Sequence, residues 1–137
     1  MPLLEKHLCI KKSQLLGAGK GLFTKIIIAK GTRMVEYKGR TQRWSEVKHE
    51  DGINGYLMYI NRNVVINALP TVKTLGRYAN DACGIVRMDG LQNNSEYVSE
   101  GKRCFLEATR SIKAGEEIFV NYGKEYWALM KKLAIVH

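Results

Sequence analysis

Apolar and polar residues alternate over short stretches that glycines interrupt, and this pattern predicts strands rather than helices for most of the chain. An apolar–polar stretch from Leu8 to Leu16 is broken by Gly17, Gly19 and Gly21, and Leu22 to Thr24 then resumes an extended pattern. Ile28-Ala29-Lys30-Gly31 reads as a turn that enters a strand over Arg33 to Tyr37. Tyr56 to Ile60 and Val64 to Ala68 read as a hairpin joined by Asn61-Arg62-Asn63. Arg103 to Ala108 and Glu117 to Asn121 are further strands, and Ile112-Lys113-Ala114-Gly115 between them repeats the Ile-x-x-Gly turn. The polar, turn-rich residues 87–101 read mostly as a surface loop. Helix is predicted twice: a short one from Trp44 to Glu50, ended near Gly52, and one from Tyr126 to Val136, where Trp127, Met130 and Leu133 share a face.

Composition narrows the class. A chain of 137 residues with 45% apolar and 26% charged residues is one globular domain, long enough to bury a real core. Lysine and arginine outnumber acids by 22 to 13, a net charge of +9, which attracts nucleic acid or an acidic partner surface. The basic residues are scattered rather than massed, so a nucleic-acid contact is expected as an accessory property. Cys9, Cys83 and Cys104 are odd in number, form no CxxC pair and stand apart from His7, His49 and His137. No metal site is expected from them; reduced thiols in an intracellular protein, cytoplasmic or nuclear, are. Apolar runs are too short for a membrane span, and Glu5 and Lys6 cut off any signal-peptide core, so no membrane association is expected.

Three segments carry more information together than any does alone. They are GKGLFTKIIIAKGTRMVEYKG at 19–39, GRYANDAC at 76–83 and FLEATRSIKAGEEIFVNYG at 105–123. In this order and spacing they resemble the SET domain of protein lysine methyltransferases, a family whose pattern runs G-x-G-L-F, E-Y-x-G, R-F-x-N-H-x-C and G-E-E-L-x-x-D-Y-G. The resemblance covers roughly residues 8–123. It implies a mostly-β fold of small curved sheets with a C-terminal pseudoknot, as a single domain over 1–137 with a short C-terminal helix in 124–137. No zinc-binding cysteine clusters flank the motifs in the sequence, so the resemblance is expected to be to minimal, stand-alone SET proteins of the bacterial or viral kind, with a homodimer as a candidate arrangement.

The resemblance implies an S-adenosylmethionine-dependent transfer of methyl to a lysine side chain of a protein substrate, histone or non-histone. Tyr122 matches the family's reaction-centre tyrosine. Tyr56 matches a tyrosine lining the lysine channel, with Tyr59 as the competing position. Gly19, Lys20 and Gly21 match the loop that cradles the cofactor, joined there by Asn80, Asp81 and Tyr122. Asp81 stands where the family has His, Asn121 where it has Asp, and Gly84-Ile85 where it has x-Pro-Asn. These departures keep open an alternative, a degenerate SET module that binds a protein partner without catalysis. Glu117 is implied to be structural, with the threaded backbone as its candidate partner. Asp89, Glu96 and Glu100 are candidates for an acidic lining that would accept a basic substrate.

Overall fold

The computed structural model describes residues 3–50, 55–83 and 87–122. Among them, nine short strands form three antiparallel sheets of three strands each. In the first, β1 (Leu8–Lys12) and β2 (Lys20–Thr24) make a hairpin with Leu8 opposite Thr24. The outer side of β2 takes β9 (Glu117–Ile118). The second sheet runs β3 (Arg33–Glu36), β8 (Arg103–Ala108), β7 (Ser95–Glu100). The third runs β4 (Arg40–Gln42), β6 (Val64–Asn67), β5 (Leu57–Asn61). The expected helix over 44–50 is present as α1 (Trp44–Val47) followed by a 3-10 turn, Lys48–Glu50. No helix among the described residues is long and apolar enough to cross a membrane.

Burial follows the apolar runs. All four residues of β6 are buried at the centre of a sheet, the apolar Val64 to Ile66 and the hydrogen-bonded Asn67, whereas β4 and β5 on its flanks are partly exposed. The main core draws Leu22, Met34, Ile66, Leu106 and Ile118 from all three sheets. The two Ile-x-x-Gly turns are each other's partners: Ile28 and Ile112 exchange both backbone hydrogen bonds, at 2.8 and 2.9 Å, with both side chains fully buried.

Residues 87–101 depart from expectation. Only their first half is loop; Ser95–Glu100 is a six-residue strand, paired with β8 from Ser95 opposite Ala108 to Glu100 opposite Arg103. The Gly101-Lys102 turn sets up this pairing, and Tyr97 packs against the core, so a polar composition conceals a strand with one anchored aromatic. Of the acidic lining candidates, Glu96 and Glu100 therefore stand on β7, where Glu100 is ion-paired with Arg33. The helix expected in 124–137, with Trp127, lies outside the described residues, as do the stop at Gly52 and the Gly84-Ile85 departure.

The C-terminal segment is threaded. Residues 117–122 run between the two ends of the segment 80–95, with parallel bridges from Asn80 to Phe119 on one side and Ser95 to Val120 on the other. Val120 N–H donates to the Asn80 carbonyl at 2.8 Å. On the opposite side the buried Asn94 side chain donates to the Glu117 carbonyl and accepts from Phe119 N–H, each at 2.9 Å. Asn93 Oδ1 accepts from Ala82 N–H at 2.8 Å and draws the two ends of the loop together. This is the pseudoknot of the fold, and it brings Tyr122 to Ala79, 43 positions back in the chain.

Candidate active site

Tyr122 is held at both ends. Its backbone N–H donates to Asp81 Oδ2 at 2.9 Å, and its hydroxyl donates to the Ala79 carbonyl at 2.6 Å. A carbonyl oxygen only accepts, so the phenolic proton is committed to Ala79 and the hydroxyl oxygen meets an incoming donor as an acceptor. The ring of Tyr97 stacks on that of Tyr122, with centroids 6.4 Å apart and planes 20° from parallel. Tyr97 in turn meets Tyr37 edge-on at 5.8 Å, and the Tyr37 hydroxyl donates to the Tyr56 carbonyl at 2.8 Å. The rings of Tyr37, Tyr97 and Tyr122 thus form one connected row, which the Tyr56 main chain joins through its carbonyl.

Burial pushes the Tyr97 hydroxyl well above the ordinary tyrosine range, and the neighbouring Tyr122 and Tyr37 push it the same way. The row therefore presents a neutral phenol beside Tyr122 at any ordinary pH. Arg77 fixes the other end: its guanidinium lies 4.1 Å over the Tyr56 ring and donates to the carbonyls of Ala68 and Leu69 at 2.7 and 2.8 Å. Tyr59 points elsewhere. It is half exposed and packs edge-to-face on Trp44, with centroids 5.5 Å apart, so of the two tyrosine candidates Tyr56 is the one joined to the row.

The glycine loop meets this row through Asn80, whose side-chain amide donates to the Lys20 carbonyl at 3.0 Å. Gly19 has φ +72°, and no atom lies within 4 Å of where a Cβ would stand, so its main chain is approachable from that side. Gly21 is glycine for a different reason. A Cβ there would fall inside van der Waals contact of the Glu117 carboxylate, itself buried and accepting from Ser13 Oγ at 2.6 Å and Gln14 N–H at 2.8 Å. Glu117 is thus structural in this fold, though it bonds the β1–β2 loop rather than the threaded backbone. Asp81 is also buried, and its donors among the described residues include Cys83 N–H and Asn93 Nδ2 at 2.8 Å each and Tyr122 N–H at 2.9 Å. An acceptor-only side chain is matched here by donors.

The matched motifs converge in space as well as in order, and a model of the SET domain matches residues 19–123. The chain belongs to the SET-domain family. Its relatives within that family include the "Histone-lysine N-methyltransferase EZH2" of Chaetomium thermophilum, 33% identical over 141 residues that cover 93% of this chain and 9% of that protein. The "Histone-lysine N-methyltransferase set-1" of Caenorhabditis elegans is 28% identical over 115 residues, 77% of this chain and 46% of that protein. The "N-lysine methyltransferase KMT5A-B" of Xenopus laevis is 25% identical over 124 residues, 83% and 36%. The chain spans less than half the length of each of these relatives. The SET fold is matched by the methyltransferase domain of human PR domain-containing protein 2, with a TM-score of 0.65, 24% identity, and coverage of 88% of this chain and 79% of that one.

Of the residues singled out from the sequence, the fold sets Asn80 against the Lys20 carbonyl of the glycine loop, Asp81 against Tyr122 N–H, and Tyr56 against Tyr37 through its carbonyl. Sequence reasoning missed Tyr97, Arg77 and Asn93. Arg77 stood inside the GRYANDAC segment without a role, and Tyr97 was legible only as a lone aromatic in a polar run just before a Gly-Lys turn.

Proposed function

We propose that this chain is an S-adenosylmethionine-dependent protein-lysine N-methyltransferase. The observation that carries the reading is the Tyr122 hydroxyl, its proton given to Ala79, at the end of a tyrosine row and beside the loop that Asn80 tethers. The residues fit the cofactor. The approachable main chain at Gly19, the Lys20 carbonyl region and the amide of Asn80 offer neutral acceptors and donors suited to a polar, cationic ligand. By family likeness Gly19, Lys20 and Gly21 would hold its methionine and adenosine parts, Asn80 would bond it, and the Asp81 main chain would read the adenine edge. When bound, S-adenosylmethionine supplies an electrophilic methyl group on a sulfonium centre.

The chain's own residues then have three tasks. Tyr122, as an acceptor, aligns a lysine amine by taking one of its N–H groups and favours C–H···O contact from a polarised methyl. The neutral ring of Tyr97 lies against Tyr122, and by family likeness Tyr56 would line the lysine channel; an apolar approach disfavours the charged ammonium and leaves the amine lone pair available. The bonds to Ala79 and Asp81 hold Tyr122 in place, so its alignment precedes substrate binding.

A protein substrate is the reading supported by relatives named as histone-lysine and N-lysine methyltransferases. The test is incubation of the chain with methyl-labelled S-adenosylmethionine and a core-histone mixture or a cell extract, with Tyr122→Phe as control. Label on lysine in protein, lost in the variant, is the expected result. No cofactor binding by calorimetry, together with no transfer, would instead make it the non-catalytic partner-binding module. Retention on single-stranded nucleic acid, lost with salt, would reveal the accessory contact that the +9 charge allows.

A further inference from the structure

Asp81 occupies the position where family members carry His, and its side chain is turned into the fold. One carboxylate oxygen, Oδ1, accepts from Cys83 N–H and Asn93 Nδ2, and the other, Oδ2, accepts from Tyr122 N–H. Asn93 Oδ1 in turn accepts from Ala82 N–H, which fixes which way its amide faces. Asp81 is 3% exposed. Its carboxylate therefore acts as a rigid clasp between the segment 80–83, the returning end of the loop at 93, and the backbone of Tyr122. Charge-assisted bonds to N–H groups are shorter and stronger than neutral ones, so a carboxylate defines the Tyr122 position more sharply than a neutral acceptor would.

The second anchor of Tyr122 is the Ala79 carbonyl, which receives its hydroxyl proton. Ala79 and Asp81 are two residues apart on one stretch of chain. The aromatic side chain thus spans two fixed points on a single short segment, and a shift at Asp81 tilts the hydroxyl relative to Ala79. We propose that the Asp81 carboxylate, braced by Asn93, is the positioning residue for Tyr122 in methyl transfer. The inference rests on the methyltransferase reading and adds to it a role for this side chain, beyond the backbone contact to adenine that the family likeness gives.

The experiment compares wild type, Asp81→Asn, Asn93→Ala, Tyr122→Phe and the double variant Asp81→Asn/Tyr122→Phe. Each is assayed with labelled S-adenosylmethionine and core histones as the probe substrate, with cofactor affinity by calorimetry and the fold by circular dichroism. Asp81→Asn keeps one acceptor oxygen and the volume, so it is expected to fold. Its kcat falls about 10–100-fold, the loss expected of a misaligned group, while cofactor affinity stays within about threefold. Asn93→Ala lowers kcat in the same way. The effect of Asp81→Asn vanishes in the Tyr122→Phe background, because there is no hydroxyl left to aim. An Asp81→Asn enzyme with wild-type kcat overturns the inference, as does a loss of equal size with and without the Tyr122 hydroxyl. A wild-type chain that binds the cofactor and modifies no protein overturns the methyltransferase reading, and this inference with it.

Discussion

The buried carboxylate of Glu117 fills the space that a side chain on Gly21 would need. Gly21 lies on β2 and Glu117 on β9, the strand of the returning segment that pairs with it, so one contact ties the β1–β2 hairpin to the threaded end. Gly21→Ala forces the two apart and is expected to destabilise the fold by about 1–3 kcal/mol. Glu117→Ala leaves Ser13 Oγ and Gln14 N–H without their acceptor and is expected to cost about 2–3 kcal/mol. The two substitutions are complementary: the methyl group added at position 21 moves into room that the lost carboxylate leaves. Urea unfolding of the double variant should show less destabilisation than the sum of the singles, with a coupling of about 0.5–3 kcal/mol. Strict additivity would contradict the contact.

Tyr122→Phe removes one oxygen and little else. The Ala79 carbonyl loses its donor, and the proposed reaction centre loses its acceptor. Methyl transfer is expected to fall by about 10²–10³-fold, the range seen when one preorganised polar group is deleted from a reaction centre. Cofactor affinity should change less than about threefold, since the glycine loop and Asn80 are untouched. Single-turnover transfer and calorimetry on the same preparation separate the two quantities. A variant that retains full transfer would remove Tyr122 from the reaction.

Asn80 reaches the Lys20 carbonyl through its amide N–H, so the loss should appear in binding before it appears in chemistry. Asn80→Ala frees the loop over Gly19 to Gly21, and cofactor affinity is expected to weaken about tenfold, the effect of losing one good hydrogen bond. Asn80→Asp tests the polarity of the contact: a carboxylate faces a carbonyl and cannot donate, so its affinity should be no better than that of the alanine variant. Calorimetric titration of both variants decides this.

The glycine–turn–strand order was legible because each of those elements is local: alternation over Arg33 to Tyr37, the Asn61-Arg62-Asn63 turn and the paired Ile-x-x-Gly turns are written within a few residues. What could not be read is whatever depends on the thread. Nothing near Asp81 in the sequence says that its carboxylate will meet the N–H of Tyr122: beyond the local Cys83 N–H, its partners come from residues 93 and 122. Glu117 shows the same difficulty. Its neighbours suggest a carboxylate pair with Glu116, yet Glu116 accepts locally from Lys113 N–H while Glu117 reaches across to Ser13 and Gln14. β7 was hidden for a third reason: with Glu96, Ser99 and Glu100 outward, its pairing and one anchored tyrosine make it a strand, and hydropathy does not.

Two groups, Tyr97 of the tyrosine row and Cys104 beside it, make stability depend on alkaline pH. Burial, helped by Glu36, pushes the Cys104 thiol up to about 11 from an ordinary 9.0, and burial pushes Tyr97 up from its ordinary range as well. In the unfolded chain both groups ionise earlier than in the fold. Between about pH 9 and 11 the unfolded state therefore binds fewer protons than the folded one, and stability falls as pH rises. The contribution is whole below pH 9 and lost on passing the folded value near 11; for Cys104 it amounts to at most about 3 kcal/mol. Urea midpoints measured at pH 8 and pH 10.5 should drop more for wild type than for Cys104→Ala, which has no thiol to ionise. Alkylation gives an independent reading: at pH 8 the exposed Cys83 should react with iodoacetamide while Cys104 does not until the fold is opened. Equal labelling of the two thiols in the native protein would show that Cys104, on β8 between β3 and β7, is not sealed in the core.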